Sequence, residues 1–218
     1  MRVRQGVRHA RGTGFALLLL LTGAQGAESD GPDPARIALG QAVNQRACAR
    51  CHADDGNGGA TPVKAYPKLA GLDEAYLYKQ ILDLKAHRRP NPATDGRGER
   101  LEEPEVRAIA AFYARQAMTL GDPDGLDEAA RARVAALFRQ GDAARGLPPC
   151  ASCHGDAGEG RVALLAPRLA GQWSPYLATQ LRRFRDGSRR TSALMEGVAQ
   201  RLSEAEIEPL AAYLGGLH

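Results

Sequence analysis

Two pentapeptides constrain this chain more than any other feature. All four cysteines lie in "CARCH" (Cys48–His52) and "CASCH" (Cys150–His154). C-x-x-C-H is the attachment motif of c-type haem: both thiols form thioethers, and the histidine binds the iron. A disulfide or redox dithiol needs no histidine after each pair, and zinc knuckles lie only about 15–20 residues apart. The motifs therefore predict two covalent haem c groups, attached by Cys48, Cys51, Cys150 and Cys153 and ligated by His52 and His154.

The motifs belong to a longer internal repeat. "ADDGNG" after the first motif matches "GDAGEG" after the second, and "PKLAG" matches "PRLAG" further on. "YLYKQI" then pairs with "YLATQL", and "ERLEEPEVRAIAAFY" pairs with "QRLSEAEIEPLAAYL". Between the copies, "TLGDPDGLD" (119–127) has the composition of a linker. The chain is predicted to contain two copies of one domain, at 28–120 and 121–218.

Each copy reads as all-α. Apolar residues recur at positions i, i+3, i+4 and i+7 in both terminal segments: Val106, Ile109, Ala110 and Tyr113, then Ile207, Leu210, Ala211 and Leu214. Ser203 and Glu206 form a capping-box pattern, and Pro104 suits a first turn. Earlier helices are predicted at about Asp73–Lys85 and Ser174–Asp186.

The first 27 residues read as a secretory leader. Arg2, Arg4, Arg8 and Arg11 precede the apolar run "FALLLLL", and "TGAQGA" predicts cleavage near Gly26 or Ala27. The run is much shorter than the roughly 20 residues that span a bilayer. Of 29 basic residues four lie in the leader, so the remaining 25 balance the 25 acidic residues. A near-neutral mature chain gives no support to nucleic acid or an anionic membrane as its partner.

With these motifs in place, the sequence resembles the dihaem cytochromes c4, which are built from two fused class I cytochrome c domains. The resemblance implies an all-α tandem repeat, each domain wrapped around one covalently bound haem c. It also implies that Pro67 and Pro167 accept the free N–H of the iron-binding histidines. Met195 matches the sixth iron ligand of the second domain. A thioether ligand raises haem potential, which suits an electron carrier.

The first copy departs from this pattern. Counting back from the shared "RL", Thr94 stands where the second copy has Met195. Outside the leader and motifs, the histidines are His87, where the family usually has glycine, and the terminal His218. His87 is retained as a candidate sixth ligand of haem 1. A vacant or water-bound iron, or ligation by Lys64, Lys68 or Lys85, stays open.

Two further groups of side chains each have more than one interpretation. An arginine cluster beside Met195 is either a solvated helix face or a set of charges for haem propionates or an acidic partner; it comprises Arg182, Arg183, Arg185, Arg189 and Arg190. Trp173 and Tyr176 are expected against a haem, at the domain interface or in ordinary core packing.

The resemblance implies a periplasmic electron carrier rather than an enzyme. Its expected redox partners are a dehydrogenase or quinol-oxidising complex as donor and a terminal oxidase or reductase as acceptor, and loose membrane association stays open. One alternative is the electron-accepting subunit of a periplasmic dehydrogenase, for example one that oxidises a sulfur compound. Another is an enzyme or sensor that binds a small ligand at an open haem 1.

Overall fold

A computed structural model describes Met1 and residues 33–61, 64–90, 98, 100–121 and 125–217. The rest of the predicted leader, Thr94 and His218 lie outside the described residues, as does part of the linker. The side chain of Lys64 is also outside this description. The domain ends proposed from the sequence stay predictions.

The first half contains the predicted helices together with elements that were not predicted. Its elements are α1 (Pro34–Val43), a π-helical turn (Asn44–Cys48), α2 (Ala49–His52), β1 (Gly59–Thr61), β2 (Lys64–Tyr66), α3 (Glu74–Lys85) and α4 (Glu103–Ala114). β1 and β2 form an antiparallel hairpin in which Gly59 pairs with Tyr66. Neither the hairpin nor α1 was predicted.

The second half repeats the arrangement without strands among its described residues. Its elements are α5 (Glu128–Gln140), a 3₁₀ turn (Ala143–Arg145), α6 (Ala151–His154), a second 3₁₀ turn (Val162–Leu164), α7 (Ser174–Arg185), α8 (Ala193–Ala199) and α9 (Glu204–Gly215). The predicted helices over 73–85 and 174–186 are confirmed to within a residue. No helix among the described residues has the length and apolar character needed to cross a bilayer.

The terminal helices α4 and α9 form the centre of the two cores. Their predicted apolar stripes are confirmed, since each of the eight stripe residues is at most 3% exposed. In the first half, α4 packs across α1 at Gly40. A side chain at Gly40 would meet the Ala108 carbonyl oxygen and lie 2.7 Å from Phe112 Cβ, so this crossing requires glycine.

Side-chain caps fix where the helices begin. The Asp73 carboxylate accepts a hydrogen bond from the Tyr76 N–H at 2.9 Å and starts α3. The predicted capping box at α9 is confirmed, because the Glu206 carboxylate accepts from the Ser203 N–H at 2.8 Å. Pro104 lies in the first turn of α4, as predicted.

Glu206 gives the fold a pH dependence. Hydrogen bonds from Arg145, and then from Ser203, outweigh partial burial and hold the pKa of Glu206 at about 2. A carboxylate with a depressed pKa in the folded state stabilises that state above its unfolded pKa, and this stability is lost as pH falls towards 2.

We therefore expect Glu206→Gln to lower the free energy of unfolding at pH 7 by about 1 kcal/mol after solvent screening. The deficit should shrink below about pH 4 as the parent carboxylate protonates. Denaturant unfolding followed by circular dichroism measures this difference. Glu208→Gln, on the exposed side of the same helix, is the control; an equal loss there would contradict the assignment to Glu206.

Candidate haem sites

One cavity of about 820 Å³ extends across both halves. Its wall includes Cys48, Cys51 and His52 from the first half, and Cys153, His154 and Met195 from the second. Cys150 precedes α6 and is half-buried outside this wall. None of the four cysteines forms a disulfide, so every thiol that the motifs assign to a haem is available for a thioether.

A single helical turn presents each attachment motif. In the first half, Cys48 ends the π-helical turn and α2 carries Cys51 and His52. In the second half, α6 begins directly after Cys150 and carries Cys153 and His154. In the first motif both thiols, three residues apart, line the cavity, whereas in the second motif only Cys153 does.

The two motif histidines are held by the predicted prolines. His52 Nδ1 lies 3.0 Å from the Pro67 carbonyl oxygen, and His154 Nδ1 lies 2.9 Å from that of Pro167. Burial lowers the pKa of both histidines, so the imidazoles are neutral at pH 7. A neutral ring that donates Nδ1–H to a carbonyl leaves the Nε2 lone pair for a metal. These residues fit the iron of haem c.

Met195 lies in the first turn of α8, on the cavity wall. The Ser192 hydroxyl caps this short helix by accepting a hydrogen bond from the Met195 N–H at 3.3 Å.

His87 occupies a different environment. It is exposed just beyond the end of α3 and is not on the cavity wall. Its backbone has φ 55°, and Gly187, which follows α7 at the matching place, has φ 74°. His87 thus holds a left-handed position that favours glycine. For His87 to bind the iron, the backbone around it would have to follow a different path, and this ligation stays a prediction.

Two of the lysines considered for haem 1 point to backbone carbonyls. Lys68 is buried, and its ammonium donates to Thr119 O at 2.9 Å and Leu120 O at 3.0 Å. The Lys85 ammonium donates to Leu101 O. These contacts support neither lysine as an iron ligand.

The arginine cluster is not one uniform surface. Arg182 and Arg185 pair with Glu204 on α9, and Arg182 also pairs with Glu208. Arg183 and Arg189 both line the cavity, and Arg189 is only 5% exposed. The reading of the whole run as a solvated face is therefore wrong for Arg189.

Trp173 and Tyr176 join the two halves. Trp173 Nε1 donates to Asn57 O at 3.1 Å, and the Lys68 ammonium lies 4.3 Å from the centre of the indole ring. The Tyr176 hydroxyl bonds Arg89 of the first half and also lines the cavity. The expectation that they lie at the interface is met. Arg89 was not predicted as a functional residue; its signal in the sequence is its match to Arg189, one hundred positions later.

Ala53, directly after the first histidine, carries backbone strain. It has φ 64° and ψ 170°, and its counterpart Gly155 has φ 83° and ψ 157°. Side chains disfavour this region, because the Cβ atom crowds the backbone.

Ala53→Gly should raise the free energy of unfolding by about 1 kcal/mol, because relief of strain exceeds the entropy cost of glycine. Gly155→Ala should lower it by about 2 kcal/mol, since the new Cβ would also meet the Glu159 carboxylate. Thermal unfolding of the haem-loaded variants measures both. Destabilisation by Ala53→Gly would contradict the strain.

Each of the two helical repeats has a C-x-x-C-H turn and a histidine that is bonded to a proline carbonyl and lines the shared cavity. Together they define a two-domain c-type cytochrome. The family model described as cytochrome c oxidase, cbb3-type, subunit III, matches residues 35–112 and again 123–214. These segments lie within the two predicted domains. Their presence confirms the tandem cytochrome c fold.

The chain belongs to the cytochrome c4 family. Cytochrome c4 of Pseudomonas aeruginosa is 37% identical over 207 residues, covering 93% of this chain and 96% of that protein. The crystal structure of reduced recombinant cytochrome c4 from Pseudomonas stutzeri matches with a TM-score of 0.72 at 36% identity, covering 84% of this chain and 98% of that one. A thiosulfate dehydrogenase electron acceptor of Stutzerimonas stutzeri is 35% identical over 214 residues, covering 94% and 93%.

Family membership establishes the cofactors and the general activity. The chain carries two covalent haem c groups and transfers electrons; cytochromes c4 are carriers rather than enzymes. Each haem iron supplies a one-electron change between the ferrous and ferric states. The protein contributes attachment, orientation, charge and exclusion of water.

Proposed function

We propose that this chain carries electrons in the periplasm, from a dehydrogenase or quinol-oxidising complex to a terminal oxidase or reductase. The observation that carries the proposal is that both attachment motifs open on one cavity. Two one-electron centres within one cavity give a continuous route through the protein. The basic, apolar and small-residue order of the leader supports export.

In this proposal Cys48 and Cys51 attach haem 1, and Cys150 and Cys153 attach haem 2. His52 and His154 are the proximal ligands, supported by burial, neutrality and the contacts to Pro67 and Pro167. Met195 is the sixth ligand of haem 2, supported by its place on the cavity wall. His87 is the less supported candidate at haem 1.

Unequal ligation gives the carrier a direction. A thioether favours ferrous iron, so haem 2 should have the higher potential. Haem 1, without methionine, then receives electrons and haem 2 delivers them. Two equal potentials in a redox titration would remove this proposal.

Electron paramagnetic resonance of the oxidised protein tests the ligands. We expect His87→Gly to leave the spectrum unchanged, because the side chain is exposed, and to stabilise the fold by about 1 kcal/mol at this positive φ. Met195→Leu should convert one low-spin haem to high spin, because leucine has no donor atom. Loss of a low-spin signal in His87→Gly would instead make His87 the sixth ligand.

A narrower role is acceptance of electrons from a thiosulfate dehydrogenase. Its support is the relative of that name, which aligns over 94% of this chain. Oxidised protein mixed with thiosulfate and catalytic amounts of a thiosulfate dehydrogenase should develop reduced-haem absorbance within seconds.

Thiosulfate alone is the control for direct chemical reduction in that assay. Reduction by a quinol-oxidising membrane fraction, with none by the dehydrogenase, would contradict the narrower role and leave the general carrier in place.

A further inference from the structure

Two arginines meet inside the cavity, one from each half. Arg89 follows α3, Arg189 follows α7, and both line the cavity wall. Their backbones are set alike: the Arg89 N–H bonds Asp83 O at 3.3 Å, and the Arg189 N–H bonds Arg183 O at 2.9 Å. They are matching residues of the repeat, and we call them the arginine pair.

The side chains of the arginine pair cross between the halves. Arg189 donates to Gln180 of its own half at 3.0 Å, and to Gln80 at 2.8 Å and Tyr76 at 3.2 Å in the first half. Arg89 donates to Gln80 of its own half at 3.0 Å and to Gln180 at 3.3 Å in the second. It also bonds the Tyr176 hydroxyl. Each guanidinium therefore touches both halves.

These hydrogen-bond acceptors are uncharged. Within the described residues, no carboxylate forms an ion pair with either member of the arginine pair. Asp83, the carboxylate whose field reaches Arg89, already pairs with Lys79 at 2.6 Å and Arg88 at 2.8 Å. Hydroxyl and amide oxygens satisfy the N–H groups and leave the charges uncompensated.

Arg189 is buried and Arg89 is half-buried, and like charges held in such places are costly without a counter-charge. Burial, and then the charge of Arg89, lowers the pKa of Arg189, although guanidinium remains protonated in proteins. Burial raises the pKa of Tyr76, but the charges of Arg189 and Arg89 outweigh it and lower the pKa overall. The cavity is therefore a strongly positive environment.

The expected cofactor supplies the missing charge. Each haem carries carboxylates at its edge, and the planar guanidinium fork binds carboxylate in two parallel hydrogen bonds. The arginine pair, placed on the wall shared by both attachment motifs, fits such groups.

We propose that Arg89 and Arg189 are positioning residues that bind haem carboxylates across the contact between the halves and raise the potentials of both haems. Reduction lowers the charge of an iron centre by one unit, so a fixed positive charge nearby favours the reduced form. Each half thereby completes the haem site of the other. This inference rests on the two haem c groups and is independent of the redox partner.

Potentiometric titration of haem-loaded Arg189→Gln tests the proposal. Both haems should shift about tenfold towards the oxidised form, a fall of about 59 mV for a one-electron couple. Arg89→Gln should act in the same direction, because its guanidinium also touches both halves. Arg189→Lys, which keeps the charge, should retain potentials close to those of the parent.

Arg182→Gln is the matched control. Arg182 lies on α7 but outside the cavity wall, and it is paired with Glu204 and Glu208. Its removal should change either equilibrium less than twofold. Tyr76→Phe removes one neutral acceptor and keeps both charges, so it should also leave the potentials near the parent values.

Several results would overturn the proposal. They are unchanged potentials in Arg189→Gln, a shift at one haem alone, or an equal shift in Arg182→Gln. A tenfold shift in Arg189→Lys would also overturn it, because charge would then not be the cause. If Arg189→Gln does not yield folded protein, Arg89→Gln and Arg189→Lys decide the question.

Discussion

The hydrogen bond between the motif histidine and a proline carbonyl organises each half. It ties the attachment helix to the "LAG" turn, and that turn is tied in its own right to the terminal helix: Gly71 N–H bonds Tyr113 O at 2.9 Å, and Gly171 N–H bonds Leu214 O at 3.3 Å. The loop between histidine and proline closes on the same helix, since Gly58 N–H bonds His52 O at 2.8 Å. Orientation of the ring and packing of α4 or α9 are therefore parts of one arrangement.

The features that were predicted from the sequence are those that depend on residues close together in the chain. The attachment turns, the apolar stripes of α4 and α9, and the Ser203 cap depend on residues within a few positions of one another. The repeat extended these predictions from one half to the other. The paired strands β1 and β2 and the helix around Met195 were not predicted, because each is short and has little periodicity.

The arginine run shows a different limit. Consecutive arginines look alike in sequence, yet Arg182 pairs with acids on α9 while Arg189 is buried against Gln80 of the other half. Partners this far apart in the sequence leave no local pattern from which their contact could be predicted. His87 is the opposite case. The absence of the family's usual glycine after α3 was visible in the sequence. The positive φ that favours glycine at this position appears only in the structure.

The chain's single tryptophan, Trp173, lies where the two halves meet. The ring is held by Asn57 O and stacked with the Lys68 ammonium, while Gln172 beside it exchanges two hydrogen bonds with the Lys68 backbone at 2.9 and 2.8 Å. Because this is the chain's one tryptophan, its fluorescence reports on the surroundings of the contact between the halves. The cytochrome can thus be followed through assembly or unfolding without an added label.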